Sequence, residues 1–223
     1  MPLMNNDIDI LKEELVAKAL LFYPVHIRPG DEGYDSTPEK QRLVKTVAEH
    51  ERNKKWHLLL DKMKALGDWI SLSDLTAYSY FSPCFKGSIA LRQGEDRFHV
   101  RIYISMLTKH FAYKVNKMYP NESLESEAFL TMNKQEQMAF LTQLQEKIEK
   151  FERENRTYIN SYPASISSCM AILLDCERNI FGYELFPETL MNKIVPDIAI
   201  NMKNFGDITL FDCFFTDWEI PAG

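Results

Sequence analysis

Between Arg97 and Met106 the chain alternates without a break: Phe98, Val100, Ile102, Ile104 and Met106 are apolar, and His99, Arg101, Tyr103 and Ser105 between them are polar. A period of two sends successive side chains to opposite faces, so the stretch prescribes a strand with one apolar and one polar face and argues against a helix. Strands of that kind belong to antiparallel sheets, which rest one face on a core and leave the other free. Leu75 to Phe81, Cys84 to Leu91 and Lys109 to Tyr119 are expected as neighbouring strands, with Ser82-Pro83 and the RQGED run around Gly94 as the first two turns. The last connection, Thr108 to His110, offers neither Gly nor Pro and is expected as a bulge or one long bent strand.

Helical spacing frames this sheet on both sides. Ile8, Leu11, Leu15 and Ala19 predict a helix over Asp7 to Leu21 that stops before Pro24. Pro24, Pro29, Gly30 and Gly33 mark a loop, after which Ser36 and Glu39 have capping-box spacing with Pro38 in the first turn. Leu43, Val44 and Val47, then Trp56, Leu59, Leu60, Met63 and Leu66, keep helical steps. The charged run EHERNKK interrupts them, which predicts one bent helix or two that meet near Asn53, with Gly67 as the stop. Asn133 with Glu136 opens a further helix whose Met138, Leu141, Leu144, Ile148 and Phe151 form a narrow apolar stripe. Ser165 to Leu174 fits a buried helix or a buried strand equally, because short apolar runs carry no decisive period. Ile194 to Met202 and Ile208 to Phe215 are expected as strands.

The fold class that follows is α+β: N-terminal helices, a central antiparallel sheet with one polar face, a middle amphipathic helix and C-terminal strands. Residues 1–223 are expected to form a single domain, with a helical sub-lobe at 1–67 and a sheet-plus-helix sub-lobe at 68–223. Apolar residues make up 45% of the chain, enough for a substantial core at this length.

Charge is distributed unevenly. The net charge is -6, but residues 1–73 carry -1, residues 74–118 carry +4 and residues 119–223 carry -9. The sheet segment is thus the basic part of an acidic chain. That excess is far smaller than the basic patch a nucleic-acid binder uses, so nucleic acid is not the expected partner. No apolar run approaches the roughly 18 residues that span a bilayer, and residues 1–15, MPLMNNDIDILKEEL, lack the basic and apolar regions of an export signal. The expected location is the cytoplasm, where Cys84, Cys169, Cys176 and Cys213, which include no CxxC pair, would be free thiols.

Motifs that carry chemistry are scarce. Eight glycines include no GxGxxG and no GxxxxGK[ST], and the close pair Gly30 and Gly33 brackets Asp31 and Glu32, which would repel a phosphate. His50 and His57, on one straight helix, would lie about 10 Å apart along its axis, too far to share an ion. His57 and Asp61 have a better spacing but match a surface salt bridge equally well. No metal site and no cofactor is expected. Cys84 could be approached by His99 or His110 from neighbouring strands, although core packing of its thiol is the simpler expectation. Among the terminal carboxylates Asp197, Asp207, Asp212, Asp217 and Glu219, Asp212 stands out: in ITLFDCFFTDW it interrupts an apolar run, as a burial-tuned acid or as an inward charge guarding an edge strand.

The remaining surface is the polar face of the sheet, where His99, Arg101, Tyr103 and Lys114 gather cations and a phenol of the kind that anchors protein interfaces. The leading expectation is a non-catalytic cytoplasmic interaction protein of the inhibitor, immunity or assembly-subunit kind, binding a partner of acidic character through these residues. The alternatives are a hydrolase or nuclease without a short motif, using Asp212 with His99 or His110, and a domain that holds a small ligand between sheet and helices.

Overall fold

A computed structural model describes residues 5–50, 53–65, 70–76, 82–93, 96–117, 131–155, 164–200 and 203–215. Helix α1 spans Asn5–Leu20, a short 3-10 turn Tyr34–Ser36, α2 Pro38–His50 and α3 Lys54–Lys64. The sheet follows as β1 (Ile70–Asp74), β2 (Cys84–Gln93), β3 (Asp96–Ser105) and β4 (His110–Lys117). Beyond it lie α4 (Lys134–Asn155), α5 (Ala164–Phe181), the two-residue strand β5 (Glu184–Leu185), α6 (Glu188–Met191) and α7 (Leu210–Phe214). The fold is α+β, as the alternation of periods in the sequence predicts.

Strand order is β1-β2-β3-β4-β5; the first four form an antiparallel meander and β5 joins β4 in parallel. The register pairs Gly87 with Ile102 and Ile102 with Tyr113, so Phe85, Ile89, Val100, Ile102, Ile104 and Phe111 share one face. All six are buried. The Trp56 ring from α3 stacks on Phe85 with centroids 5.4 Å apart and lies across Gly87, and its indole nitrogen donates to an Asp74 carboxylate oxygen at 3.0 Å. A side-chain carbon built on Gly87 would meet the Trp56 ring at 3.0 Å, which is why the strand carries glycine there.

Local chemistry accounts for most element boundaries. Asn53 caps α3 by accepting from the Lys55 amide, so the interrupted stripe resolves into two helices. The Asn133 amide donates to Glu136 Oε2 at 2.8 Å while Asn133 Oδ1 accepts from the Gln135 and Glu136 amides, the reciprocal cap expected of α4. At α2 the cap is displaced by one residue from its expected place: Thr37 Oγ1 accepts from the Lys40 amide, and Ser36 instead donates to the Gly33 carbonyl. The β3–β4 connection is a tight turn rather than a bulge, closed by Ser105 Oγ accepting from the Leu107 and Thr108 amides.

Three expectations change. The first strand lies at Ile70–Asp74, and Leu75 and Thr76 lie outside it; residues 77–81, and with them the rest of the expected Leu75 to Phe81 strand, lie outside the described residues, as do Gly67 and Gly94. Ser165 to Leu174 belongs to helix α5. Among the described residues the C-terminal segment does not form the two expected strands, and residues 201–202 lie outside those described. Ile194, Ile198 and Ile200 make isolated bridges, to Thr209, Val25 and Lys203, and Leu210–Phe214 is helical. The sequence disguised this because five of the six residues in LFDCFF are apolar, and a short, mostly apolar run fits a buried helix as well as a buried strand.

Candidate functional site

The second face of the sheet is the one sequence singled out. Ser88 pairs with Arg101 and Arg101 with Lys114, so these three side chains form a row across β2, β3 and β4; Lys86, Tyr103 and Ala112 form the row beside it. The two rows have different fates. Phe211 of α7 meets the Tyr103 ring edge-on at 5.4 Å, Phe215 meets it at 6.5 Å, and the Lys86 ammonium lies 5.7 Å from its centroid. Tyr103 is 0% exposed and Lys86 7%. Tyr103, expected as a surface anchor, is therefore part of a second core between the sheet and α7. A phenol there can offer nothing to a partner while α7 is seated.

In the row of Ser88, Arg101 and Lys114, burial is nearly complete at Ser88 and partial at the other two. Arg101 and Lys114 are half-buried, and His99, two residues along β3 from Arg101, is half-buried beside them. Lys114 extends over the Phe211 ring, its ammonium 4.3 Å from the centroid, so the cation is held at the lip of the covered region. Ser88, 4% exposed, shares a short hydrogen bond with His99 Nε2. Burial, with the Arg101 guanidinium adding to it, pushes the His99 imidazole below its ordinary pKa. The sequence placed His99, Arg101 and Lys114 on this face correctly but missed Ser88, whose position follows only from the strand register.

The residues of the alternative catalytic set each have local partners of their own. Asp212 occupies the third position of α7, where its carboxylate accepts from the Thr209 amide at 2.9 Å and the Thr209 hydroxyl at 2.7 Å. Lys203 donates to its other oxygen at 2.7 Å. The residue is a helix cap with an ion pair, not a charge on an edge strand. His110 packs edge-on against Phe186 at 5.5 Å, and its neighbour Phe111 pairs with Ile104. That places it about 20 Å from His99 at a rise of about 3.4 Å per residue. Cys84 and Cys213 are fully buried thiols outside any disulfide, and burial, reinforced by Asp212, pushes the Cys213 thiol far up. Cys169 and Cys176 have side chains outside those described. His50 ends α2 and bonds the Thr46 carbonyl at 2.9 Å, while His57 stands exposed on α3. Among the described residues no group of three or more His, Cys, Asp or Glu side chains converges as a metal site would require, and no helix is long and apolar enough to cross a membrane.

A cleft of about 390 Å³ lies on the α1 side, lined by Leu11, Leu15, Met106, Leu107, His110 and Tyr183 among others. It is wide-mouthed and separate from the row of cations. Sequence reasoning also missed Glu177, a fully buried carboxylate of α5. Its signal was available: Leu173, Glu177 and Ile180 stand four and three residues apart, so an acid occupies a core position of a helical stripe.

No protein-family model matches the chain, and neither does any curated protein or solved structure.

Proposed function

We propose that this chain is a non-catalytic interaction protein, of the inhibitor, immunity or assembly-subunit kind, whose docking surface is the open part of the polar sheet face around His99, Arg101 and Lys114. The partner presents carboxylates to it. One observation carries this: Arg101 and Lys114 are directly opposed across β3 and β4 on the face that α7 leaves half-open. A planar guanidinium such as that of Arg101 suits a carboxylate through paired hydrogen bonds, and Lys114 directly across the register adds a second positive charge to the same row. The position of these residues, in the only net-basic third of an acidic chain, gives an acidic partner long-range attraction as well.

The enzyme alternative has one specific support, the hydrogen bond between Ser88 and His99, which is the pairing of a nucleophile with a base. The electrostatics oppose it. General-base action creates an imidazolium, and burial together with the Arg101 cation disfavours that state. A triad replaces that cation with a carboxylate. The interaction reading uses the same guanidinium to advantage.

A glutamate-rich peptide is the direct probe. Titrated into the labelled protein, it is expected to shift amide resonances at Ser88, His99, Arg101 and Lys114 together, with affinity falling as salt rises. The double variant Arg101→Gln, Lys114→Gln is expected to abolish those shifts while remaining folded by circular dichroism. Shifts scattered over the surface, or unchanged in the double variant, would refute the proposal.

A further inference from the structure

Helix α5 sets Met170, Leu173, Glu177, Ile180 and Phe181 along one side, and all five are buried. Leucine or methionine would satisfy that stripe; the chain carries a carboxylic acid instead. Glu177 is 0% exposed, and no donor among the described residues reaches either of its carboxyl oxygens.

The described groups around it offer an anion nothing. α3, which packs against α5, turns Trp56, Leu59, Leu60 and Met63 inward, none of them titratable in the accessible range. β4 contributes Tyr113, half-buried, whose hydroxyl is pushed up by burial and by the charges of Glu188 on α6 and Glu177. On α5 itself Asp175 and Arg178 are exposed, on the side away from the core. Among the described residues, those facing Glu177 are apolar groups and a phenol, with no cation among them. An ionised carboxylate in such a place has lost its hydration without gaining a partner, a penalty of several kcal/mol that the neutral acid largely avoids. Burial accordingly drives the Glu177 carboxyl well above the ordinary carboxylate range.

We propose that Glu177 is a proton-dependent latch: with its carboxyl protonated, α5 stays packed on α3 and the sheet, and ionisation requires α5 to lift so that the group reaches water. The direction follows from linkage. The folded state holds the proton more tightly than the unfolded state, so the stabilisation is complete below the ordinary carboxylate value and drains away as pH rises toward the folded value. This is the opposite of a salt-bridged acid, which loses stability as pH falls.

The test compares wild type with Glu177→Gln, which keeps the size and removes the titration. Between the ordinary and the raised value, the wild-type folding equilibrium is expected to lose up to about tenfold per pH unit relative to the variant, because one pKa unit corresponds to a factor of ten. Hydrogen exchange over residues 164–181, corrected for intrinsic rates, is expected to accelerate with pH in the wild type and not in the variant. A difference between the two proteins that stays constant across pH 4 to 9 would overturn the latch. Should Glu177→Gln fail to fold, a carbon-13 titration of the Glu177 carboxyl in the wild type decides: a midpoint in the ordinary carboxylate range overturns the proposal, and a raised midpoint upholds it.

Discussion

Truncating Tyr103 to alanine tests whether the polar face of the sheet is a surface or a second core. The side chain is 0% exposed and meets Phe211 and Phe215 edge-on, at 5.4 Å and 6.5 Å. Removing a buried aromatic ring costs about 3–5 kcal/mol through lost transfer energy and the cavity left behind. The two ring pairs add about 0.5–1.5 kcal/mol each beyond area, although the weaker geometry at Phe215 puts the total nearer about 5 kcal/mol. At about 2–4 °C per kcal/mol for a chain of this size, the melting temperature is expected to fall by roughly 10–20 °C. Urea unfolding followed by circular dichroism measures this directly, because the midpoint shifts at nearly constant slope when only native packing is lost. His57→Ala serves as the control: exposed on α3, it is expected to change stability by less than about 1 kcal/mol. A Tyr103→Ala variant within about 1 kcal/mol of wild type would refute the account, because α7 could not then be seated on the ring.

Two further substitutions address how the layers are held. Gly87→Ala brings a methyl to 3.0 Å from a Trp56 ring already fixed by Phe85 and by the Asp74 hydrogen bond; a loss of about 1–3 kcal/mol is expected in thermal unfolding, and an unchanged melting temperature would show that the ring is free to move. Asp212→Ala removes both the reciprocal cap on α7 and the Lys203 ion pair. About 1–2 kcal/mol should be lost in urea unfolding, and a variant as stable as wild type would mean that α7 is held by its aromatic residues alone.

Much of the fold was legible because local chemistry writes it locally. The alternation from Phe98 to Met106 required a strand with one apolar face. The Asn133 and Glu136 pair opened α4, and the charged interruption near Asn53 left one bent helix or two, of which the two, α2 and α3, form. The same rule could have found α7, since Thr209 and Asp212 stand at capping-box spacing; the apolar run around them drew attention to a strand instead. Glu177 was equally visible as an acid within a helical stripe, once Ala164–Phe181 is known to be a helix.

For the candidate site, sequence alone determined which side chains share a face, because a two-residue period fixes sidedness regardless of what lies nearby. It could not determine which of them meet water. His99, Arg101 and Tyr103 alternate along one strand with nothing local to distinguish them, yet Tyr103 is buried and the other two are half-open. The difference is made by Phe211 and Phe215, more than a hundred residues further along the chain. Burial is a property of packing between distant segments, which no local period encodes. The tertiary structure therefore decided that Arg101 and Lys114 stay half-buried and Tyr103 lies beneath α7.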